Sequence, residues 1–544
     1  MEVKINLGKL SENSTLKTVK TVTHTKITEE ELKKYFSFLK ENSLIKAESF
    51  SEPIWLIYNE NKDRDIIFKF DIEMYQDLNN TLKAYILLKR MTGTAIDSCH
   101  SILVDLKKVI LNTDRFNDLA SLENLLVMQA PTVGYEMAGN VRRFLSFYEH
   151  PLSSNIIKIC NQIKKPPKNN RDLPYFPDVV AFDESLETYF HSLNSNDYIR
   201  FYPLMIWWKL TNVLPMRVVE FLKLKKNCIE SKDDGTFWIT LPREKQRADS
   251  PFKIDVTDTV QINKEIYETI LKYIQIIDDL EIETEYLIPY DLYVKFLPNP
   301  KGSSRQRKGE KNRLIDKYLQ RIIDDFYKEI IQDESLDRIT CGDTRHFAVM
   351  NMFLQGFNML SIARMAGHDD LETQFSYYSH VDHYVQSQVY LLAQKKLEQS
   401  LESNIGNKMT TSTRYLYDKG LIYEDKNLTN CRKVDFGYCT NMNFPENCGG
   451  ECRACQPYYV FKPAINDLEQ GLNWLTDYSQ SIKRNIKETT DMMFSLSENM
   501  YYDFQNLKHQ ETGQSQLNSV SSQLTKFMDQ RATVEAWIRR YKDE

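Results

Sequence analysis

The chain has 544 residues, with 70 Lys+Arg against 76 Asp+Glu and a formal net charge of −6. With 42% hydrophobic and 27% charged residues, and only 17 Gly and 17 Pro, it is excluded from the collagen-like, low-complexity and disordered classes. At about 150 residues per domain, three or four domains are expected, and any contact with nucleic acid must come from local patches rather than from net charge.

Taken in chain order, the pattern is mostly helical. Residues 1–70 are lysine-rich and mixed, and read as an accessory domain for DNA or a neighbouring subunit. Met1 to Lys9 lacks the apolar core of a secretory signal, so a cytosolic location with reduced thiols is expected. Ile27 to Glu31 opens a helix that runs through Leu32, Tyr35, Phe36 and Leu39. Trp55 to Tyr58 and Ile66 to Phe70 read as short strands. Residues 72–163 form a helical domain, with amphipathic stretches through Leu82 to Leu88, Ala95 to Ile110 and Val141 to Tyr148.

Residues 164–174 read as a linker. Pro166 and Pro167 block helix, and Lys164, Lys165, Lys168 and Arg171 give it four cations. Such a segment either tracks a phosphate backbone or is simply solvated. Residues 175–400 form a larger mixed domain. Tyr198 to Trp208 and Val218 to Lys223 are helical, and the eight apolar or aromatic residues from Phe201 to Trp208 are the longest such run, too short to span a membrane. Phe237 to Leu241 and Phe252 to Val256 alternate, predicting a hairpin whose charged tip runs from Arg243 to Ser250. A second basic loop holds Lys301, Arg305, Arg307, Lys308, Lys311 and Arg313 against Glu310 alone. The fold class expected is mainly α with a small β-hairpin or sheet (α+β).

Four pieces of the 175–400 domain stand out. They are Leu214-Pro215-Met216-Arg217-Val218-Val219-Glu220-Phe221-Leu222, then Lys245, then Asp343-Thr344-Arg345-His346, and finally Ala366-Gly367-His368 followed by Tyr377-Tyr378-Ser379-His380-Val381. Gly367 follows Arg345 by 22 residues, across an apolar helix, Gly356 and a second helix from Leu360 to Met365. In order and spacing this set resembles the tyrosine recombinase (phage integrase) family, over roughly residues 72–385, with the motifs between about 205 and 381.

The resemblance implies a helical core-binding domain at 72–163, a catalytic domain at 175–400, and DNA cleavage through a tyrosyl intermediate without ATP or a catalytic metal. Arg217 and Arg345 would fork onto the phosphate, where guanidinium charge offsets the charge of a pentavalent transition state. His368 would hydrogen-bond the same phosphate, and Lys245 would protonate the leaving 5′-oxygen, with Lys253 as an alternative. Glu220 would orient an arginine. Tyr378 is taken as the nucleophile because it opens the Tyr-Ser-His-Val string, with Tyr377 as the alternative. One departure stands out: the family usually has His or Lys three residues before its second arginine, and here that residue is Gly342. The readings left open are an integrase or transposase of a mobile element, a resolvase- or topoisomerase-like use of the same chemistry, and a non-catalytic DNA-binding partner of an active recombinase. In the family's manner, the partners expected are double-stranded DNA and further recombinase subunits, as a tetramer in synapsis, on the bacterial nucleoid and with no membrane.

Cys431, Cys439, Cys448, Cys452 and Cys455 hold five of the nine cysteines within 431–460. In a reducing compartment this spacing predicts a structural zinc knuckle on Cys439, Cys448, Cys452 and Cys455, with Cys431 as a spare able to replace Cys439. In 464–544, steps of three and four residues run from Ile465 to Leu507, and ten of the thirteen positions are apolar. That seam fits a coiled coil, paired either between molecules or as a hairpin on its own chain.

Overall fold

The structure, a computed structural model, describes residues 5–6, 21–22, 29–42, 44–59, 61–62, 64–166, 172–191, 196–244, 258–297, 312–368, 371–378, 380–402, 428, 431–446, 448–455, 458–505 and 511–542. Among them, helices dominate and the strands form four small antiparallel sheets, so the fold is mainly α. The described residues fall into two compact units. One holds those before residue 172 together with 277–318; the other holds 172–244, 258–276 and everything from 319 onward.

The first unit begins with a two-residue strand pair, β1 (Ile5–Asn6) and β2 (Thr21–Val22). Helix α1 (Glu29–Glu41) then packs with a three-stranded sheet of β3 (Ile45–Lys46), β4 (Ile54–Asn59) and β5 (Arg64–Lys69). Trp55 opposes Phe68 in that sheet, and both are fully buried. Phe36, Phe50 and Phe70 surround the indole at 4.8–5.5 Å. Lys83, itself buried, donates from its amine to Ser51 O at 3.0 Å beside the same rings. Burial therefore lowers its proton affinity. Five helices follow: α2 (Gln76–Met91), α3 (Ile96–Asn112), α4 (Leu119–Val127), α5 (Pro131–Leu145) and α6 (Ser153–Gln162). Asp118 caps α4 by accepting from Ser121 N–H.

The second unit carries the motifs. Helix α7 (Phe176–His191) is followed by a 3₁₀ turn at Asn196–Phe201 and α8 (Tyr202–Thr211), where the sequence predicts one continuous helix from Tyr198. Pro203, at the start of α8, explains the change of pitch. After α9 (Val218–Leu222) comes a sheet of β6 (Ile229–Ser231), β7 (Phe237–Thr240) and β8 (Thr259–Ile262). The observed partner of β7 is thus 259–262; the expected strand at Phe252 to Val256 lies outside the described residues. Helices α10 (Lys264–Asp279), α11 (Tyr290–Lys295) and α12 (Asp316–Phe326) come next in the chain; of these, α11, the end of α10 and the start of α12 are counted with the first unit. Then follow α13 (Asp343–Leu354), α14 (Met359–Ala366), the short α15 (Phe375–Tyr378) and α16 (Val381–Glu402).

A sheet of β9 (Arg432–Val434), β10 (Gly437–Cys439) and β11 (Tyr459–Phe461) leads into two long helices, α17 (Leu468–Gln505) and α18 (Glu511–Lys542). These form an antiparallel hairpin: Ser479 bonds Glu535 near one end, and Gly513 lies against Met500 near the other. Leu475, Ile482, Ile486, Met493 and Met500 of the seam are buried. The seam is therefore closed within the chain, as the hairpin alternative expects.

The hairpin also braces the motif-bearing helices. Ser521 Oγ donates to Leu354 O at 2.6 Å, and Gln514 donates to Gly356 O at 3.0 Å. Gly356 has φ +82°, and a Cβ there would lie 3.1 Å from Ser521 Cβ, so glycine is required both by conformation and by the close approach. Phe353, fully buried on α13, lies between Tyr378 (ring centroids 4.3 Å) and Phe494 of α17 (5.1 Å). Replacing Phe353 by Ala is expected to cost ~3–5 kcal/mol, measured as a lower urea midpoint of the full chain.

Candidate active site

The site is built on a buried carboxylate. Leu214 and Met216 are buried and fix the turn after α8, which leaves Arg217 at the N-cap of α9 with extended backbone. Glu220, one turn on, has no solvent exposure. Its Oε2 accepts from the Arg217 backbone N–H at 2.8 Å, closing a capping box. Its Oε1 accepts from Arg217 Nη1 at 2.8 Å and from the Glu244 backbone N–H at 3.1 Å. One short helical turn thus satisfies the helix start and orients a guanidinium.

Arg345 enters from the first turn of α13. Asp343 fixes that turn by accepting from the Thr340 N–H at 2.6 Å and from the Thr340 hydroxyl at 3.0 Å. Thr211 donates to Thr344 at 2.7 Å and so joins α8 to α13. The Arg345 guanidinium then spans the site. Nη1 donates to Pro215 O at 2.7 Å, Nη2 to Ala366 O at 2.7 Å, and Nε to the Tyr377 hydroxyl at 3.1 Å. Nη2 also lies 2.7 Å from His368 Nε2, and the carboxylate of Glu220 is 3.9 Å from Nη1.

Helix α14 ends on Gly367, which has φ +64° and is bracketed by arginines: a Cβ there would lie 3.4 Å from Arg217 Nη1 and 3.6 Å from Arg243 Cδ. His368 follows directly and is 2% exposed. Burial, then the positive charges of Arg345 and Arg217, push its imidazole down to about 2, so the ring is neutral. Arg243 was read in the sequence only as part of a charged tip. In the structure its side chain is 6% exposed, with Nη2 donating to Met365 O at 3.0 Å and Nη1 3.9 Å from Glu220. Its nearness to Lys245 and to the end of a β-prone run was the only signal available in the sequence.

The two candidate tyrosines have different surroundings. Tyr377 reaches Arg345, and its ring lies 4.5 Å from that of His346 and 5.5 Å from that of His368. Tyr378 faces the other way. Its hydroxyl donates to Gln374 at 2.8 Å, its ring packs against Phe353, Phe375 and Phe494, and burial pushes its phenol well above the ordinary value. Adjacent residues of one helical turn project about 100° apart, and here the core takes Tyr378 while Tyr377 faces Arg345. A cavity of about 210 Å³ lined by Asp172, Phe176, His380 and His383, among others, contains none of Arg217, Arg345, His368 and Tyr377, so the chemistry rather than the cavity locates the site.

Gly342 is the N-cap residue of α13 and offers no side chain there. Lys164 and Lys165 are exposed. Lys245 and Lys253, and with them Lys168, Arg171, Arg305, Arg307 and Lys308, lie outside the described residues. Cys439 ends β10, Cys452 opens the 3₁₀ turn Cys452–Ala454, and Cys448 and Cys455 flank that turn. Burial pushes the Cys452 thiol up to about 11, helped by Asp435 and by the other three thiols, so the four share one neighbourhood. As placed, no three His, Cys, Asp or Glu among the described residues converge to hold a metal ion. No helix among them is long and apolar enough to cross a membrane.

Residues 193–384 match the family model of the phage integrase family. Among solved structures, the chain is similar to XerH site-specific recombinase bound to palindromic difH substrate in a post-cleavage complex (12% identity, TM-score 0.37, covering 64% of this chain and 91% of that one). It is also similar to XerA recombinase (15%, 0.26, 55% and 92%) and to the integrase of mycobacterium phage Brujita (9%, 0.22, 57% and 93%). No curated protein matches the chain.

The neutral His368 has a consequence for stability. Below its ordinary value of 6.5 the unfolded chain takes up a proton on this ring and the folded chain does not. The unfolded state then binds more protons, so the contribution is complete above 6.5 and is lost as pH falls towards 2. Stability is expected to fall by on the order of 1 kcal/mol per pH unit below 6.5 from this ring. Urea unfolding at about pH 7.5 and about pH 5.5 should show a smaller difference in His368→Gln than in the parent.

Proposed function

We propose that this chain, whose residues 193–384 are a phage integrase family domain, cuts and rejoins double-stranded DNA with Tyr377 as the nucleophile. The supporting observation is that one guanidinium, that of Arg345, touches both the Tyr377 hydroxyl and the His368 ring, with Arg217 held next to it by Glu220.

The phenolic oxygen attacks phosphorus and forms a 3′-phosphotyrosyl bond as the bond to the 5′-oxygen breaks. The phenolic proton passes to a base, a role this reading gives to His346, whose ring centroid lies 4.5 Å from that of Tyr377. The departing 5′-oxygen takes a proton from Lys245, which stays with the expectation drawn from the sequence. The reverse attack, by a 5′-hydroxyl of another strand, restores the phosphodiester and frees the tyrosine, so no ATP is consumed. Arg217 and Arg345 stabilise the phosphorane charge; neutral His368 accepts from Arg345 through Nε2, so only its Nδ1–H is left to donate a hydrogen bond, without adding charge. Action as the integrase or transposase of a mobile element, in an assembly with further recombinase subunits, is part of this reading. The missing side chain at Gly342 favours a second one, a DNA-binding partner that relies on an active recombinase for cleavage.

We also propose a structural zinc on Cys439, Cys448, Cys452 and Cys455. Besides burial, the Cys439 and Cys448 thiols oppose ionisation of both Cys452 and Cys455, and a divalent cation would relieve that repulsion. The purified chain should carry about one zinc, and Cys452→Ala should lose it, read by elemental analysis.

A pool of nicked random-sequence duplexes tests the chemistry. Tyr377→Phe should abolish the covalent adduct on a denaturing gel. Tyr378→Phe should keep the adduct and lose only about 1 kcal/mol of stability, from its bond to Gln374. An adduct that persists in Tyr377→Phe overturns the assignment, and none with the parent chain favours the partner reading.

A further inference from the structure

Helix α14 is held at both ends by side chains that also hold a tyrosine. At its C-terminal end Arg243 donates to Met365 O at 3.0 Å, Arg345 to Ala366 O at 2.7 Å and Arg217 to Gly367 O at 2.8 Å. A helix leaves its last carbonyls without amide partners, and the negative end of its dipole draws cations. Arg345, held there, donates from Nε to the Tyr377 hydroxyl at 3.1 Å. The other end is gripped by Gln374, the last residue of the 3₁₀ turn Leu371–Gln374, whose side chain is fully buried. Its Nε2 donates to the carbonyl of Met359, the first residue of α14, and its Oε1 accepts from the Tyr378 hydroxyl at 2.8 Å. The two adjacent tyrosines are thus joined to opposite ends of one helix, and the eight residues of α14 keep those ends about 10 Å apart.

Gln374 and Tyr378 lie one helical turn apart and meet on one face. The rings of Phe353, Phe375 and Phe494 pack around Tyr378 with centroids at 4.3–6.1 Å, so both bonds of the amide sit in apolar surroundings. A polar group that loses its partner in such a place costs more than the bond contributes in water. An amide that serves two partners at once is therefore fixed in direction and in span. The point it grips is fixed as well. Asn358, the N-cap of α14, accepts from the Ser361 N–H at 2.7 Å and donates to Gln514 of α18 at 2.7 Å. With Tyr378 clasped to the start of α14, the place of the Tyr377 oxygen beside Arg345 is set by two lengths, a glutamine side chain and a short helix. Alignment of reacting atoms is sensitive on that scale, since a misplacement of about 1 Å slows an enzymatic step about 100-fold.

We propose that Gln374 is a positioning residue for the nucleophile: by spanning the Met359 carbonyl and the Tyr378 hydroxyl, it sets where the Tyr377 oxygen stands relative to the phosphate that Arg217 and Arg345 would hold. This rests on the reading of the domain as a DNA strand transferase with Tyr377 as nucleophile. It deepens that reading by giving Gln374 and Tyr378, which take no part in the bond-making, the task of aiming the residue that does. Loss of the clasp should slow attack by Tyr377 and leave intact both the capture of the duplex and the action of the arginines on the phosphate.

The test uses the full chain, as the parent and as Gln374→Met, which keeps the length of the side chain and removes its amide. On nicked duplexes, Gln374→Met should form the covalent adduct about 10–100-fold more slowly, with duplex affinity within about threefold. A second arm separates aim from general loss of structure. In a Tyr377→Phe background, hydrogen peroxide supplied in solution takes the place of the phenol: its oxygen bonds to phosphorus as the 5′-oxygen departs with a proton. That reaction uses the arginines and no aligned tyrosine, so Gln374→Met should change its rate by less than about twofold. Equal slowing in both arms, or no slowing of the tyrosine reaction, overturns the proposal. An adduct that persists in Tyr377→Phe overturns it together with the choice of nucleophile. Should Gln374→Met fail to fold, Gln374→Asn, one methylene too short to serve both partners, carries the same comparison. A parent that yields no adduct ends the strand-transfer reading separately. Where either arm gives no product with Gln374 intact, fluorine NMR with 3-fluorotyrosine in place of Tyr377 decides this proposal. One sharp resonance that splits or broadens in Gln374→Met sustains it, and an unchanged spectrum overturns it.

Discussion

Everything in the second unit that bears on chemistry depends on the carboxylate of Glu220. It is fully enclosed, yet it accepts two backbone N–H groups and a guanidinium and sits within ionic reach of two more arginines. An enclosed carboxylate is tolerated only when its lone pairs are satisfied and its charge is offset. The same condition, read from the other side, holds Arg217 in one rotamer. Glu220 is therefore less a participant than the fixed point from which the arginines are aimed.

The second constraint is the carbonyl end of α14. Helix ends normally find water or a glycine cap, and this one has the glycine as well as arginine donors from three separate stretches of chain. Segments around residues 217, 243 and 345, distant in sequence, are brought together because each has an unused carbonyl to bind. Such shared acceptors resist piecemeal change, since loss of one arginine leaves a carbonyl unpaired as well as a charge missing.

Much of this was legible in the sequence. The spacing from Arg345 through Gly356 to Gly367 and His368 foretold two helices and a turn, and those are α13 and α14. Trp55 to Tyr58 fall in a strand, and so does the expected Ile66 to Phe70 up to Lys69, because alternation and aromatic content agree there. Less legible was anything decided by side-chain direction. Tyr377 and Tyr378 are chemically identical and adjacent, and only the aromatic packing of Phe353 and Phe494 separates them. Arg243 was hidden for a related reason: its importance comes from a carbonyl 122 residues away, which no local pattern records. The seam of α17 was visible as a stripe, but whether its partner is α18 or another molecule depends on tertiary contact.

The contact of Phe494 with Tyr378 gives the C-terminal hairpin leverage over its upstream neighbour. Tyr377 is tethered to a phenol that is anchored, so the stiffness of the anchor limits the movement of its neighbour. Sequence drift along α17 would thus be felt as a change in how far and how readily the Tyr377 hydroxyl can swing.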